Sequence, residues 1–79
     1  MSRDEALVRV TEVFRDVFDD DDLVVRRDMV AADIPGWDSL KMINLLVAIE
    51  AQLGVRLRSS EVDKLHCIGD IVDIVAARG

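Results

Sequence analysis

The sequence is poor in the residues that build small β-domains and disulfide-linked domains. Of its 79 residues one is cysteine, one is proline and four are glycine, and tyrosine is absent. The single Cys67 cannot form an internal disulfide, and with one histidine it cannot complete a zinc site, so we expect a reducing environment. The scarcity of aromatic and turn residues argues against a sandwich or barrel of short strands. Composition therefore favours helices.

Positive charge and long apolar runs are also scarce. Lysine and arginine number 10 against 16 aspartates and glutamates, and the net charge of -6 opposes binding to nucleic acid or anionic lipid. The longest apolar run, 45–49, is too short for a membrane span or a signal peptide, and the N-terminal charges do not suit export. We expect a cytoplasmic monomer that docks on basic protein surfaces, with neither membrane nor nucleic acid as a partner.

Apolar residues recur at the spacing of an amphipathic helix from about Asp4 to Phe18. Ser2 is placed to cap this helix, and carboxylates in its first turn suit the positive end of the helix dipole. The helix should end at the four aspartates 19–22, because negative charge is unfavourable at a helix C-terminus. These aspartates lack the alternating ligands and central glycine of a calcium loop, so we expect a solvated helix end and no metal.

A long loop follows, up to about Asp38, and the apolar residues 23–25 are candidates to anchor it to the core. A connection of this length in a small domain indicates a functional loop. The second helix should begin at Asp38 or Ser39, because proline and glycine interrupt the chain just before it, and should stop at Gly54.

A short third helix through 61–65, capped by Ser59 or Ser60, and a fourth helix over about 68–77 complete the pattern. The expected fold class is all-α, a four-helix bundle with a long first loop and a short third helix, and residues 1–79 form a single domain. The side chains expected to be buried lie on the apolar stripes of the helices: Phe14, Leu45, Leu46, Ile49, Leu53, Ile71 and Val75.

The second helix carries more apolar residues than packing on one side requires. Leu40, Ile43 and Val47 lie on a face beside its core stripe. They either complete the core or form an exposed patch that contacts partners and shelters an apolar group. Both interpretations are open at this point.

The segment 36–40, Gly-Trp-Asp-Ser-Leu, places Ser39 at the end of a long loop and the start of a helix. A helix N-terminus offers free N–H groups and positive charge, so it stabilises a phosphodiester formed on such a serine. Alone, a serine beside an aspartate is most often only part of a cap, and we expect Asp38 to be the N-cap residue. Trp37 is expected to pack over the helix start.

His66 and Cys67 lie between the third and fourth helices, where we expect structural roles for both. A hydrolase triad of Asp38, Ser39 and His66 is disfavoured, because Asp38 adjoins Ser39 and is badly placed to orient an imidazole.

In this order of helices and loops, Asp38-Ser39-Leu40 resembles the motif of the acyl carrier proteins and the related peptidyl carrier domains. The resemblance covers nearly the whole chain, including 50–54 and 68–72. It implies that Ser39 accepts 4'-phosphopantetheine from coenzyme A through a phosphopantetheinyl transferase, with Asp38 contributing to recognition. It implies a carrier that is not an enzyme and that presents acyl groups, held as thioesters, to acyl-loading and acyl-transferring enzymes.

Two positions depart from the primary fatty-acid carriers, which usually have acidic residues where this chain has Lys41 and Asn44. The sequence looks more like stand-alone carriers of specialised clusters that make polyketides, modified amino acids or glycan substituents. Alternatives are an aminoacyl or peptidyl carrier of a non-ribosomal system and an unmodified helical adaptor. We expect partners to contact the second helix through Leu40, Lys41, Ile43, Asn44, Val47 and Glu50.

Overall fold

The structure is a computed structural model that describes residues 1–78, apart from the side chain of Ser59. The helices in these residues are α1 (Arg3–Val17), α2 (Ser39–Leu53), α3 (Ser59–Val62) and α4 (Ile68–Arg78), with a short 3-10 helix (Ala31–Asp33) between α1 and α2. The prediction of an all-α fold with a long first loop and a short third helix is confirmed. None of these helices has the length and apolar character needed to cross a membrane.

The ends of α1 follow its sequence signals. The hydroxyl of Ser2 accepts the main-chain N–H of Glu5 at 3.1 Å, so Ser2 is the N-cap residue as predicted. At the other end Phe18 is the C-cap residue, and Asp19 follows with a φ of 52°. Aspartate tolerates this left-handed conformation better than most residues. The aspartates 19–22 are exposed, as expected for a solvated helix end.

The loop between α1 and α2 is held by apolar side chains. Val25, Met29 and Ile34 are buried, and Leu23 is half-buried against the core. Val24 is 61% exposed, so its prediction as an anchor is wrong. Consecutive side chains outside a helix point to different sides of the chain, so only one of two neighbouring valines reaches the core.

The same loop satisfies main-chain donors at the start of α4. The N–H of Ile68 donates to the carbonyl of Met29, and the N–H of Gly69 donates to the carbonyl of Arg27, both at 2.9 Å. A Cβ on Gly69 would lie 3.1 Å from that carbonyl oxygen, so glycine permits the close approach. The loop is therefore joined directly to α4.

Asp70 caps the same helix from inside its first turn. Its Oδ2 accepts the main-chain N–H of His66 at 2.9 Å and that of Cys67 at 3.3 Å. The bond from His66 is the main cause that lowers the pKa of the Asp70 carboxyl. These bonds fix the main chain of residues 66–67.

The third helix differs from its prediction. It spans Ser59–Val62 instead of 61–65, and Arg58 holds the N-cap position in place of a serine. The Glu61 carboxylate accepts the main-chain N–H of Arg58 at 3.3 Å, which satisfies a donor at the helix start from within the first turn. A helix of this length covers only a small part of its neighbours.

The core lies where α1 packs against α2 and α4. Five of the side chains predicted to be buried are buried: Phe14, Leu45, Ile49, Ile71 and Val75. Leu46 and Leu53 are only half-buried, so these two predictions are wrong. Leu45 and Ile49 are one turn apart and occupy the core side of α2, whereas Leu46 lies one residue further round the helix, on the side towards α3.

We predict different costs for truncating two apolar residues of α2. Ile49→Ala should lower the free energy of unfolding by about 2–5 kcal/mol, because it leaves a cavity in a packed core. Leu46→Ala should cost less, about 1–2 kcal/mol, since the side chain is partly exposed to solvent in the wild type. Urea unfolding of both variants checks this. Equal costs would contradict the assignment of Leu46 to the surface side of α2.

Candidate functional site

A tight turn precedes α2 and sets its direction. The carbonyl of Ile34 accepts the main-chain N–H of Trp37 at 3.2 Å, and Gly36 has a φ of 84°. Proline at the second position and a left-handed glycine at the third are typical of a type II turn. Pro35 and Gly36 therefore favour the turn that precedes α2.

Trp37 joins this turn to the core. Its ring meets that of Phe14 edge to face, with centroids 5.3 Å apart, and the indole is half-buried. Such edge-to-face pairs add to the stabilisation from burial alone. The prediction that Trp37 packs over the helix start is confirmed.

Asp38 is the N-cap residue of α2, as predicted, and this leaves Ser39 free of that role. The Oδ1 atom of Asp38 accepts the main-chain N–H of Lys41 at 2.9 Å. Ser39 is the first residue of the helix and is exposed, and its hydroxyl forms no hydrogen bond within the described residues. By contrast, the hydroxyl of Ser2 is engaged as the cap of α1. Ser39 thus presents an accessible hydroxyl at a helix N-terminus.

A groove of about 510 Å³ begins at Ser39 and lies between α2 and the segment around α3. Its apolar walls come from Met42, Ile43 and Leu46 of α2 and from Val62 and Leu65 on the opposite side. The other residues that line it are Ala31, Trp37, Asp38, Ser39 and His66. Sequence reasoning missed this groove, although the surplus of apolar residues on α2 was a signal for it.

The second apolar set of α2 is on the surface. Leu40, Ile43 and Val47 are 66%, 57% and 62% exposed, so they do not complete the core. Asn44 lies among them and is also exposed. Of the apolar three, Ile43 also lines the groove. The interpretation of this set as an exposed patch is therefore confirmed, while its role in binding partners stays a prediction.

Lys41 does not extend its charge freely into solvent. It is half-buried, and its Nζ donates to the carbonyl of Val17 at 3.3 Å and lies 5.6 Å from the centroid of the Phe18 ring. A cation is favourable at these free carbonyls and over an aromatic face. The ammonium of Lys41 thus binds the end of α1, and the role of this residue in contacting partners stays a prediction.

The two carboxylates expected near partners each use one oxygen within the chain. Asp38 caps α2, and Oε1 of the exposed Glu50 accepts the main-chain N–H of Leu57 at 3.2 Å. The second oxygen of each carboxylate has no hydrogen-bond partner among the side chains and main-chain groups that the structure describes. Both side chains therefore keep an acceptor for a basic group.

His66 is exposed and lines the groove, whereas Cys67 is half-buried and is not among the residues of its walls. The carboxylate of Asp38 holds the N–H of Lys41 and does not orient the imidazole. The residues of a hydrolase triad are thus near one groove without the hydrogen bonds that a triad needs.

Comparison with known proteins places this geometry among phosphopantetheine carriers. The family model described as "Phosphopantetheine attachment site" matches residues 8–75. The chain is 33% identical over 76 residues to the acyl carrier protein of Acidothermus cellulolyticus, covering 96% of this chain and 90% of that protein. It is 27% identical over 74 residues to the acyl carrier protein of Thermotoga maritima, covering 94% and 91%.

A solved structure agrees with these sequence matches. The solution structure of the holo acyl carrier protein of Geobacter metallireducens superposes with a TM-score of 0.87 at 40% identity, covering 92% of this chain and 84% of that one. The likeness therefore extends to the whole arrangement of helices.

We predict that Lys41→Glu destabilises the fold. The substitution replaces the cation at the last carbonyls of α1 by an anion, which should lower the free energy of unfolding by about 1 kcal/mol. Asn44→Glu is the matched control, because it adds a negative charge at an exposed position of the same helix. Thermal unfolding at low ionic strength checks this, and equal melting temperatures for the two variants would contradict the contact with α1.

Proposed function

The chain belongs to the acyl carrier protein family and contains a phosphopantetheine attachment domain, and on this premise we propose that Ser39 carries the 4'-phosphopantetheine arm. The observation that supports this most is the free hydroxyl of Ser39 at the first position of α2, beside the groove. Members of the family are carriers, so the chain is a carrier protein and not an enzyme.

The residues around Ser39 fit the prosthetic group of this family. The hydroxyl is exposed and can form a phosphodiester, and the free N–H groups of α2 favour an anion at that position. When bound, the arm supplies a thiol that holds an acyl group as a thioester. The apolar walls of the groove, among them Leu46 and Leu65, suit an acyl chain.

The chain's own part in attachment is to present one hydroxyl in a fixed position. Asp38 holds the helix start, and Trp37 holds the preceding turn against the core. Ser39 has no neighbouring base bonded to it within the described residues, so we assign activation of the hydroxyl to the transferase. Asp38 also keeps one carboxylate oxygen with which it can contact that enzyme.

Members of this family interact with phosphopantetheinyl transferases and with enzymes that handle acyl groups. For this chain we propose that such enzymes bind α2 through the exposed Leu40, Ile43 and Val47, with Asn44 and Glu50 beside them. An apolar centre with a charged rim is typical of small, salt-sensitive interfaces. Lys41 can take part only if a partner competes with its bond to Val17.

We further propose that the cargo is an acyl chain and that its partners differ from the enzymes of primary fatty-acid synthesis. The groove walls favour an apolar chain over a charged aminoacyl group. The neutral Asn44 and the engaged Lys41 leave this part of α2 less acidic than the surface that fatty-acid enzymes usually meet. A pathway for polyketides or another specialised product fits these features.

We predict a single phosphopantetheinyl addition on incubation with a promiscuous transferase and coenzyme A. Intact-protein mass spectrometry should show the addition in the wild type and in Ser60→Ala, and none in Ser39→Ala. Ser39→Ala should remain folded, within about 0.5 kcal/mol of the wild type, because the hydroxyl makes no contact that stabilises the fold. An addition that persists in Ser39→Ala would refute the attachment site.

We predict that Ile43→Ala slows acylation by the cognate loading enzyme without unfolding the domain. The matched control is Val8→Ala, since Val8 on α1 is 57% exposed, the same as Ile43. Both variants should keep the melting temperature within a few degrees, because neither side chain is in the core. Steady-state acylation should fall for Ile43→Ala alone. Equal rates for the two variants would place the partner surface elsewhere.

A further inference from the structure

The proposed carrier function assigns no role to the imidazole of His66. It is exposed and lines the groove together with Ser39, and it is the only side chain among those walls that can take up a positive charge. The other cation nearby, Lys41, is turned towards α1. His66 is therefore the one side chain of these walls that can add a positive charge to the main-chain N–H groups of α2 in binding an anion.

The main chain around His66 is firmly placed. Its N–H donates to Asp70 at 2.9 Å, and two residues later Ile68 donates to the carbonyl of Met29 in the loop that leads to Ser39. These bonds join the segment that carries the imidazole to the segment that carries the attachment site. The segment that carries His66 is thus fixed relative to the loop that precedes α2, and both His66 and Ser39 line the same groove.

The charges near the imidazole come from three elements. Asp38 of α2 lines the same groove, Asp70 of α4 binds the main chain of His66, and Lys64 precedes it by two residues outside the groove walls. An anion attached to Ser39 adds negative charge next to Asp38. A protonated imidazole offsets that charge and offers a hydrogen-bond donor.

We propose that the imidazole of His66 binds the phosphodiester that joins the arm to Ser39, donating a hydrogen bond to a non-bridging oxygen. The proposal rests on the proposed attachment at Ser39. His66 acts as a positioning residue, because it sets the direction in which the arm leaves the helix and takes no part in acyl chemistry. With the phosphate held at this edge, the arm runs along the apolar walls formed by Met42 and Leu65.

The chain and its arm provide clean spectroscopic reporters. The sequence has one histidine, and the holo protein has one phosphorus atom, so the resonances of each are assigned without ambiguity. A phosphodiester has no further acidic proton, so its phosphorus resonance does not titrate between pH 5 and 8 unless a neighbouring group does. An imidazole changes its charge in that range, whereas carboxyl groups ordinarily titrate below it.

The experiment compares the apo and holo proteins by proton and phosphorus NMR between pH 5 and 8. We expect the imidazole protons of the wild type to shift on conversion to the holo form, and the phosphorus resonance to titrate with the imidazole. His66→Gln should abolish the titration of the phosphorus resonance. Lys64→Gln, which removes a neighbouring cation outside the groove, should retain it.

Three results would overturn the proposal. A phosphorus resonance that titrates equally in His66→Gln would assign the effect to another group. Imidazole protons that shift only after an acyl chain is loaded would assign His66 to the cargo. Absence of any mass addition to the wild type would show that the proposed attachment itself fails, and with it the ligand of His66.

Discussion

The architecture depends on a division of roles between two neighbouring residues at the start of α2. Asp38 caps the helix with its carboxylate, so the hydroxyl of Ser39 has no structural duty and stays exposed. The cap has a fixed position because a type II turn precedes it and Trp37 packs against Phe14 in the core. An accessible hydroxyl is thereby placed at a defined helix start without being buried.

The short third helix accounts for the rest of the site. Leu45 and Ile49 fill the core side of α2, but α3 has only four residues and cannot cover the opposite side. The apolar residues left over form the groove and the exposed patch. Apolar surface that is exposed to water is energetically unfavourable, and large patches of it mark binding surfaces. This is the physical reason for proposing that the groove binds an acyl chain and that the exposed patch binds transient partners.

The helices and the exposed serine at the start of α2 were predictable because their signals are local. Caps such as Ser2 and Asp38, and the left-handed Gly54 after α2, act within a few residues of the helix ends. The burial of Leu46 and the direction of Lys41 depend on what packs against α2, which periodicity does not reveal. Periodicity does not predict the groove either, because its walls come from segments that are far apart in sequence.

The central claim is that Ser39, whose hydroxyl stays free because Asp38 caps α2, is the one serine that is modified. Fragmentation mass spectrometry of the intact holo protein tests it most directly, because it identifies the residue that carries the added mass. We expect all of the phosphopantetheinyl mass on Ser39. The exposed Ser2, at a comparable helix start but with an engaged hydroxyl, should carry none. Added mass on Ser2 or Ser60 would contradict the account.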